Sequence, residues 1–433
     1  MGVIFFVSAA VLVAITFGGA WLFGIGGTEW VGLLNFIGLH LLFVMVTATL
    51  LVLAERKWSA RIQNRVGPNR ARLTPRGGPL YGLPHLIADS VKMLVKEDFV
   101  PPEGTRWLFN LAPVLAFAPA FALMCVVPVA PPIEAFGTEV FFQVARLDMG
   151  LLYLFAISSI AVYGTALAGW ASNNKFGLLG GLRASAQMVS YEVALALTVV
   201  GVVLLFGSVA PDEIAAAQDT TRFGLPNWGV IYQPIALVLF FTAAAAEIKR
   251  APFDLPEGES EIIGYFVEYS GMKFGLFMIA EFAEIVVLAA LITVLFFGGW
   301  SIPWLPFDDL LAMLQGSALG PDLGALVAAL VAVFVFLAKT LFFVWLQMMV
   351  RWTFPRFRWD QVMDLGWKML LPLSLGNVVL TAVLVALDPS LDWAFLVGLV
   401  ELVLLAGVVL TTAAPEREEE EHLRHRMHAD LRV

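Results

Sequence analysis

The sequence predicts an all-α, polytopic membrane protein of about ten transmembrane helices, with one further amphipathic helix at the membrane surface. Three observations predict it: too little charge to cover a soluble surface, a series of apolar stretches of spanning length, and basic residues gathered on alternate loops. Of 433 residues, 60% are hydrophobic and 14% charged, where soluble domains carry about 25% charged residues. The mean hydropathy is +0.84. Apolar side chains must therefore face lipid as well as a core.

The apolar stretches are 3–24, 32–54, 108–129, 149–170, 188–206, 231–246, 274–297, 326–350, 368–387 and 393–412. About 20 residues suffice for a helix to cross a bilayer. No basic region precedes the first stretch, so it is expected to be a span rather than a cleaved signal. No internal repeat and no broken span is visible. Of the 26 Lys and Arg, ten fall in 55–107, two in 171–187, three in 247–273, four in 351–368 and four in the tail from 415. Only Arg146 and Arg222 fall on the other side, and Lys339 lies inside a span. The bias of basic loops toward the cytoplasm then places both termini there. The expected division is an extra transmembrane segment 1–30, a membrane domain 31–414 and a charged cytoplasmic tail 415–433.

The single Cys125 excludes an intrachain disulfide and a cysteine-held cluster. A net charge of -9 offers nothing for nucleic acid. Residues 81–97 read as the interfacial helix, with Leu83, Ile87, Val91 and Leu94 on one face and His85, Asp89, Lys92 and Lys96 on the other. In the tail, Glu420 and Arg424 stand at helical spacing, and His422, His425 and His428 are read as a solvated tract rather than metal ligands.

Charge inside a span costs several kcal/mol, roughly, so the residues found there are informative. Glu192 lies about one turn into its helix, and Glu281 and Glu284 lie roughly 10–16 Å along theirs at about 1.5 Å per residue. Lys339 sits near mid-span and is expected to face protein, paired with a carboxylate. A buried ion pair is the structural reading of these groups; a proton path is the functional one. Glu401, with no evident partner, reads as structural. The loop from Glu247 carries Glu247, Asp254, Glu257, Glu259 and Glu261 within fifteen residues, with Glu268 following. Glu257, Glu261 and Glu268 can share a helix face. Pro252, Phe253 and Pro256 interleave the carboxylates with rigid apolar residues, which argues for a folded element. Crowded carboxylates raise one another's pKa and exchange protons near neutral pH.

Two long motifs carry a family resemblance. Residues 55–69, ERKWSARIQNRVGPN, and 246–261, AEIKRAPFDLPEGESE, with Glu268-Tyr269 after the second, resemble the signatures of the quinone-site subunit of respiratory complex I, NADH:quinone oxidoreductase. Residues 88–97, 179–187, 190–192, 280–281 and 354–361 agree in the same order. The similarity covers roughly 33–387. It implies an all-helical subunit whose cytoplasmic loops help form a quinone chamber, with Arg61, Arg65, Asp89, Lys92 and Arg183 at the chamber and its entrance. It implies a proton-linked acidic channel through Glu192, Glu247, Asp254, Glu257, Glu259, Glu261, Glu268 and Glu281, to which Lys339 is added from its position. Quinone is the implied substrate, no cofactor is bound covalently, and NADH, flavin and iron–sulfur clusters are expected in partner subunits of the complex. A bacterial cytoplasmic membrane is the implied location, with lipid in contact. The segment before residue 24, a longer stretch between Asn69 and Asp89, and the last span with its tail depart from the usual pattern. The alternatives are the equivalent subunit of a membrane-bound hydrogenase-type complex, which has no quinone, and an independent ion transporter.

Overall fold

A computed structural model of the chain describes residues 38, 43–72, 78, 80–135, 138–258, 261–316, 320–388 and 390–412. The stretch 3–24, Glu259 and the tail residues Glu420, Arg424, His422, His425 and His428 lie outside the described residues. Every other expected stretch carries a helix. In chain order these are α1 (Met45–Ile62), the surface helix α2 (Pro84–Val95), α3 (Arg106–Met124), α4 (Gly150–Ala171), α5 (Lys175–Phe206), α6 (Pro211–Ala217), α7 (Gly229–Tyr232), α8 (Pro234–Glu247), α9 (Gly271–Phe297), α10 (Phe307–Gln315), α11 (Pro321–Thr353), α12 (Trp359–Asp364), α13 (Leu371–Leu387) and α14 (Asp392–Thr412). Among the described residues, six helices are long and apolar enough to cross a membrane, counting 359–387 as one. Strand content is two short antiparallel pairs, Ile133–Ala135 with Thr138–Val140 and Thr221–Arg222 with Leu225–Pro226.

The centre of the bundle is α9. From Ala280 to Phe296 every residue is buried, so this helix is apolar all round, as a helix enclosed by other helices must be. Around it α3, α4 and α5 pack through small residues. Gly164 of α4 lies so close to α3 that a Cβ would sit 2.6 Å from the Ala116 nitrogen, and a Cβ on Gly169 would sit 2.4 Å from the Gly177 oxygen of α5. Close backbone approach of this kind is how helices associate where lipid is as apolar as leucine.

The structure departs from the sequence reading in four places. Residues 171–187 are not a loop: after a short turn capped by the Asn174 side chain, which accepts from the Phe176 N–H at 3.0 Å, α5 runs unbroken for 32 residues. Hydropathy marks the apolar half of that helix, and nothing in Lys175 to Gln187 stops the rest. The expected span 231–246 is broken between α7 and α8 at Gln233, where Pro234 supplies no N–H and the Gln233 side chain turns to the Thr381 hydroxyl at 2.6 Å. The surface helix begins at Pro84 rather than 81, because Leu80 and Tyr81 take positive φ. Its expected apolar face, Ile87, Val91 and Leu94, is exposed in the chain, as a lipid-facing stripe would be. Finally, Glu257, Glu261 and Glu268 do not share a helix face. Residues 248–270 are a chain of turns, since Pro252 and Pro256 interrupt helix and Gly264 adopts a positive φ.

The α3–α4 contact gives a direct test. Gly164→Val forces a branched side chain into the Ala116 backbone and should cost about 1–3 kcal/mol. The detergent-solubilised chain should melt at lower temperature, while a control substitution at the exposed Tyr163 should not lower it.

Candidate functional site

The turn-rich segment 248–270 is held against the bundle by specific contacts. Gln187 of α5 donates to the carbonyls of Ala246 (2.7 Å) and Phe253 (2.9 Å). The Pro252 carbonyl accepts from Phe357 N–H at 3.1 Å. A Cβ on Gly180 would meet the Tyr265 nitrogen at 2.8 Å, so only glycine lets the segment lie this close to α5. The loop is thereby a wall, and it carries charge inward.

Behind that wall lies a cavity of about 380 Å³. One side is apolar and aromatic, with Phe266, Phe274, Phe277, Phe282 and Trp352; the other is charged, with Glu55, Arg56, Arg250, Glu257, Glu281 and Arg351. Arg250 organises the charged side. Its guanidinium bonds Glu55 at 2.7 Å, approaches Glu281 at 3.8 Å and lies 4.0 Å from the Phe282 ring centroid. Arg351 pairs with the other oxygen of Glu55. Tyr265 donates to Glu281 at 3.2 Å. Glu257, with Oε1 shut off from solvent, is raised well above the usual carboxylate pKa range, first by burial and then by the facing Glu281. Asp254 accepts from Arg356 at 2.7 Å. Burial nevertheless pushes it up to about 6 against that guanidinium.

A second, largely apolar cavity lies deeper, lined by Ser158, Glu247 and Glu284 among leucines. Lys249 stands 4.0 Å from Glu284. Glu192 accepts from Ser159 at 2.5 Å and from Ser158 at 3.2 Å. The two cavities are joined through α9, which carries Glu281 into the first and Glu284, one turn on, into the second. Residues three apart on a helix have Cβ atoms about 5–6 Å apart.

Of the residues singled out from sequence, the structure brings together Glu257 and Glu281 in the outer cavity and Glu247 and Glu192 around the inner one. Asp254 stands beside them with Arg356. Others lie elsewhere. Glu261 is exposed and pairs with Arg183 at 2.8 Å; Glu268 accepts from Asn174 at 2.8 Å. Asp89 pairs with Arg56 at 2.5 Å and with Lys92 at 3.7 Å. Arg61 is exposed, and Arg65 donates to Gln63 at 2.7 Å. Lys339 corrects an expectation. It faces protein, but its ammonium meets no carboxylate within ion-pair distance among the described residues. It donates to the carbonyls of Phe297 (2.7 Å), Gly299 (3.1 Å) and Ser301 (2.6 Å), with the Trp228 ring 4.5 Å away. A helix leaves its last carbonyls without partners, and here the lysine supplies them, about 24 Å along α9 from Glu281 at 1.5 Å per residue.

Comparison with known proteins now bears on this geometry. A family model described as NADH dehydrogenase matches residues 34–382. Similar relatives are membrane-arm chains named as NADH-quinone oxidoreductase subunits. That of Geobacter metallireducens is 45% identical over 346 residues, covering 80% of this chain and 94% of that protein. The one from Bdellovibrio bacteriovorus is 41% identical over 372 residues, covering 80% and 95%. A third, from Bacillus cytotoxicus, is 43% identical over 360 residues, covering 82% and 96%. The chain belongs to this family of NADH-quinone oxidoreductase subunits. The match to the NADH dehydrogenase family model ends before α14, so that helix is an addition beyond it.

Sequence reasoning passed over Glu55, Lys249, Arg250, Arg351 and Tyr265 as site residues. Glu55 and Arg351 each stand at the end of an apolar run, where a charge reads as an interfacial anchor. Only the fold shows that the ends of α1 and α11 meet.

Two outcomes follow from these contacts. Asp254 is raised from 3.8 to about 6 in the folded chain. The folded state thus holds this proton more tightly, and the associated stability is fully present below about 4 and lost as pH rises through 6. Asp254→Asn should flatten that decline in a melting series from pH 4 to 7; an unchanged slope would contradict the assignment. Lys339→Met leaves three carbonyls without their donor and should cost about 2 kcal/mol. Thermal unfolding of the solubilised chain reads it.

Proposed function

We propose that the chain is the membrane subunit of a proton-translocating NADH:quinone oxidoreductase, forming part of the quinone chamber and coupling quinone reduction to an acidic proton path. The observation that carries this reading is the outer cavity. It has an aromatic side suited to a quinone ring and isoprenoid chain, and a guanidinium-lined side suited to the headgroup oxygens. Its Glu281 stands one helical turn from Glu284 in the next cavity. The names of the relatives, NADH-quinone oxidoreductase, supply the substrate class. On this reading NADH, flavin and iron–sulfur clusters belong to partner subunits, and this chain holds and senses the quinone.

Reduction of a quinone to quinol consumes two protons and changes the charge near the headgroup. A charge change 8 Å from a carboxylate amounts to about 2 kcal/mol at an effective dielectric near 20, which is more than one pKa unit. Glu257 already stands near its titration threshold through burial and the facing Glu281. The proposed path runs from Glu257 and Glu281 through Glu284 and Glu247 to Glu192, with Asp254 at its start. Arg56, paired with Asp89 on α2, stands at the mouth. Arg61, Arg65, Lys92 and Arg183 belong to the entrance in this proposal. The exposed apolar face of α2 rests on lipid, the basic loops face the cytoplasm, and the membrane is the bacterial cytoplasmic one.

The test uses the assembled complex in proteoliposomes. Met278→Trp, which fills the outer cavity, should lower quinone reduction roughly tenfold or more, the loss given by about 1.4 kcal/mol. Electron transfer from NADH to a soluble acceptor that bypasses the chamber should continue. Glu281→Gln should lower quinone reduction and proton uptake together. Wild-type turnover in both assembled variants would overturn the reading.

A further inference from the structure

Glu192 is separated from the inner cavity by two serines of α4. Ser158 lines that cavity beside Glu247 and Glu284. Its hydroxyl reaches Glu192 Oε1 at 3.2 Å and the Phe155 carbonyl at 3.0 Å. Ser159 reaches the same Oε1 at 2.5 Å and the same carbonyl at 2.9 Å. Phe155 stands three residues before one serine and four before the other, so a single turn of α4 offers both hydroxyls one shared alternative acceptor.

A hydroxyl has one hydrogen to give and two lone pairs with which to accept. The two acceptors of each serine therefore cannot both be served at once. With Glu192 ionised, both hydroxyls donate to Oε1. With Glu192 protonated, the carboxyl donates and the hydroxyl hydrogens turn back to the Phe155 carbonyl, a common bond for serine in a helix. Both states are fully hydrogen-bonded, and they interconvert by rotation about one bond per serine. That matters in an apolar interior, where one unmade bond at a buried polar group costs about 1–3 kcal/mol.

We propose that Ser158 is the hydroxyl through which protons pass between Glu192 and the Glu247–Glu284 cavity, and that Ser159 positions the Glu192 carboxyl for that exchange. In one handover a lone pair of Ser158 Oγ takes a proton from the carboxylic acid of Glu247 or Glu284, directly or through water. The hydroxyl's own proton passes to Glu192 Oε1. The donor becomes a carboxylate, Glu192 becomes the acid, and Ser158 is left neutral with its hydrogen on the cavity side. Rotation toward Phe155 resets it. The inference rests on the proton-path reading above and adds to it the element that connects Glu192.

The experiment compares Ser158→Ala, Ser158→Thr, Ser159→Ala and Glu192→Gln in the assembled complex in proteoliposomes. It reads quinone reduction, proton uptake, and the ratio of turnover in H2O to that in D2O. Removing a positioned proton-transfer group costs about a hundredfold or more. A water can take part of the role, so Ser158→Ala should slow coupled turnover about tenfold. The solvent isotope ratio should rise, because proton handover becomes limiting, an effect that a packing defect does not produce. Ser158→Thr, which keeps the hydroxyl, should recover most of the turnover and the original ratio. Ser159→Ala should slow turnover less. Wild-type rates in both alanine variants with a slow Glu192→Gln would overturn the relay and leave the path standing. Wild-type rates in all of them would overturn both. A Ser158→Thr variant as slow as Ser158→Ala would overturn the relay by assigning the effect to volume.

Discussion

The guanidinium of Arg250 is the contact on which the charged half of the molecule depends. It comes from a turn, yet it touches Glu55 at the end of α1 and Glu281 within α9, while Arg351 of α11 reaches the same Glu55. Three helices and the loop are tied by one group of alternating charges. Bringing such charges out of water costs several kcal/mol each, roughly, and the cost is offset only when every member keeps its partners. Arg250 also rests on the Phe282 ring. This places the boundary between the aromatic and charged sides of the outer cavity at one residue.

Polar groups inside the bundle are confined by the same rule. At one end of α9 they are titratable and crowded, in Glu281, Glu284 and the carboxyls around them. At the other end they are closed off, with Lys339 and Gln218 satisfying the last carbonyls of the helix. The first arrangement leaves several protonation states close in energy; the second has a single satisfied state. A helix buried on all sides thus presents a responsive end and a fixed end, separated by apolar residues from Ile285 to Phe296.

Much of this was legible in the sequence, for physical reasons that also set the limit. Lipid demands unbroken apolar length, so the spans announce themselves, and the cost of intramembrane charge singled out Glu192, Glu281, Glu284 and Lys339. What a side chain does after entering the bundle depends on contacts far away in the chain. Lys339 carried no sign that its partners would be carbonyls at 297–301. Glu261 and Glu268 looked like neighbours of Glu257, but the turns after Pro256 send each to a different helix. Gln187 and Gly180, which fix the loop, are ordinary residues on a stretch too polar to register as membrane. Hydropathy reports the solvent around a helix and is silent about the helix itself, so the first half of α5 was read as a loop.

That unbroken helix has a consequence for how the molecule can change over time. Along α5, Gly180, Arg183, Gln187, Tyr191 and Glu192 meet, in turn, the loop backbone, Glu261, the Phe253 carbonyl, the Val362 carbonyl and the serines of α4. Their spacing is set by covalent geometry, about 1.5 Å and 100° per residue. Inserting or deleting one residue between Gly180 and Glu192 would swing everything beyond it through more than a quarter of a circle. Such a change would aim the carboxyl at a different neighbour while leaving composition and hydropathy almost untouched. This stretch should therefore vary in identity but not in length, whereas the segment between Asn69 and Leu80 is free to lengthen.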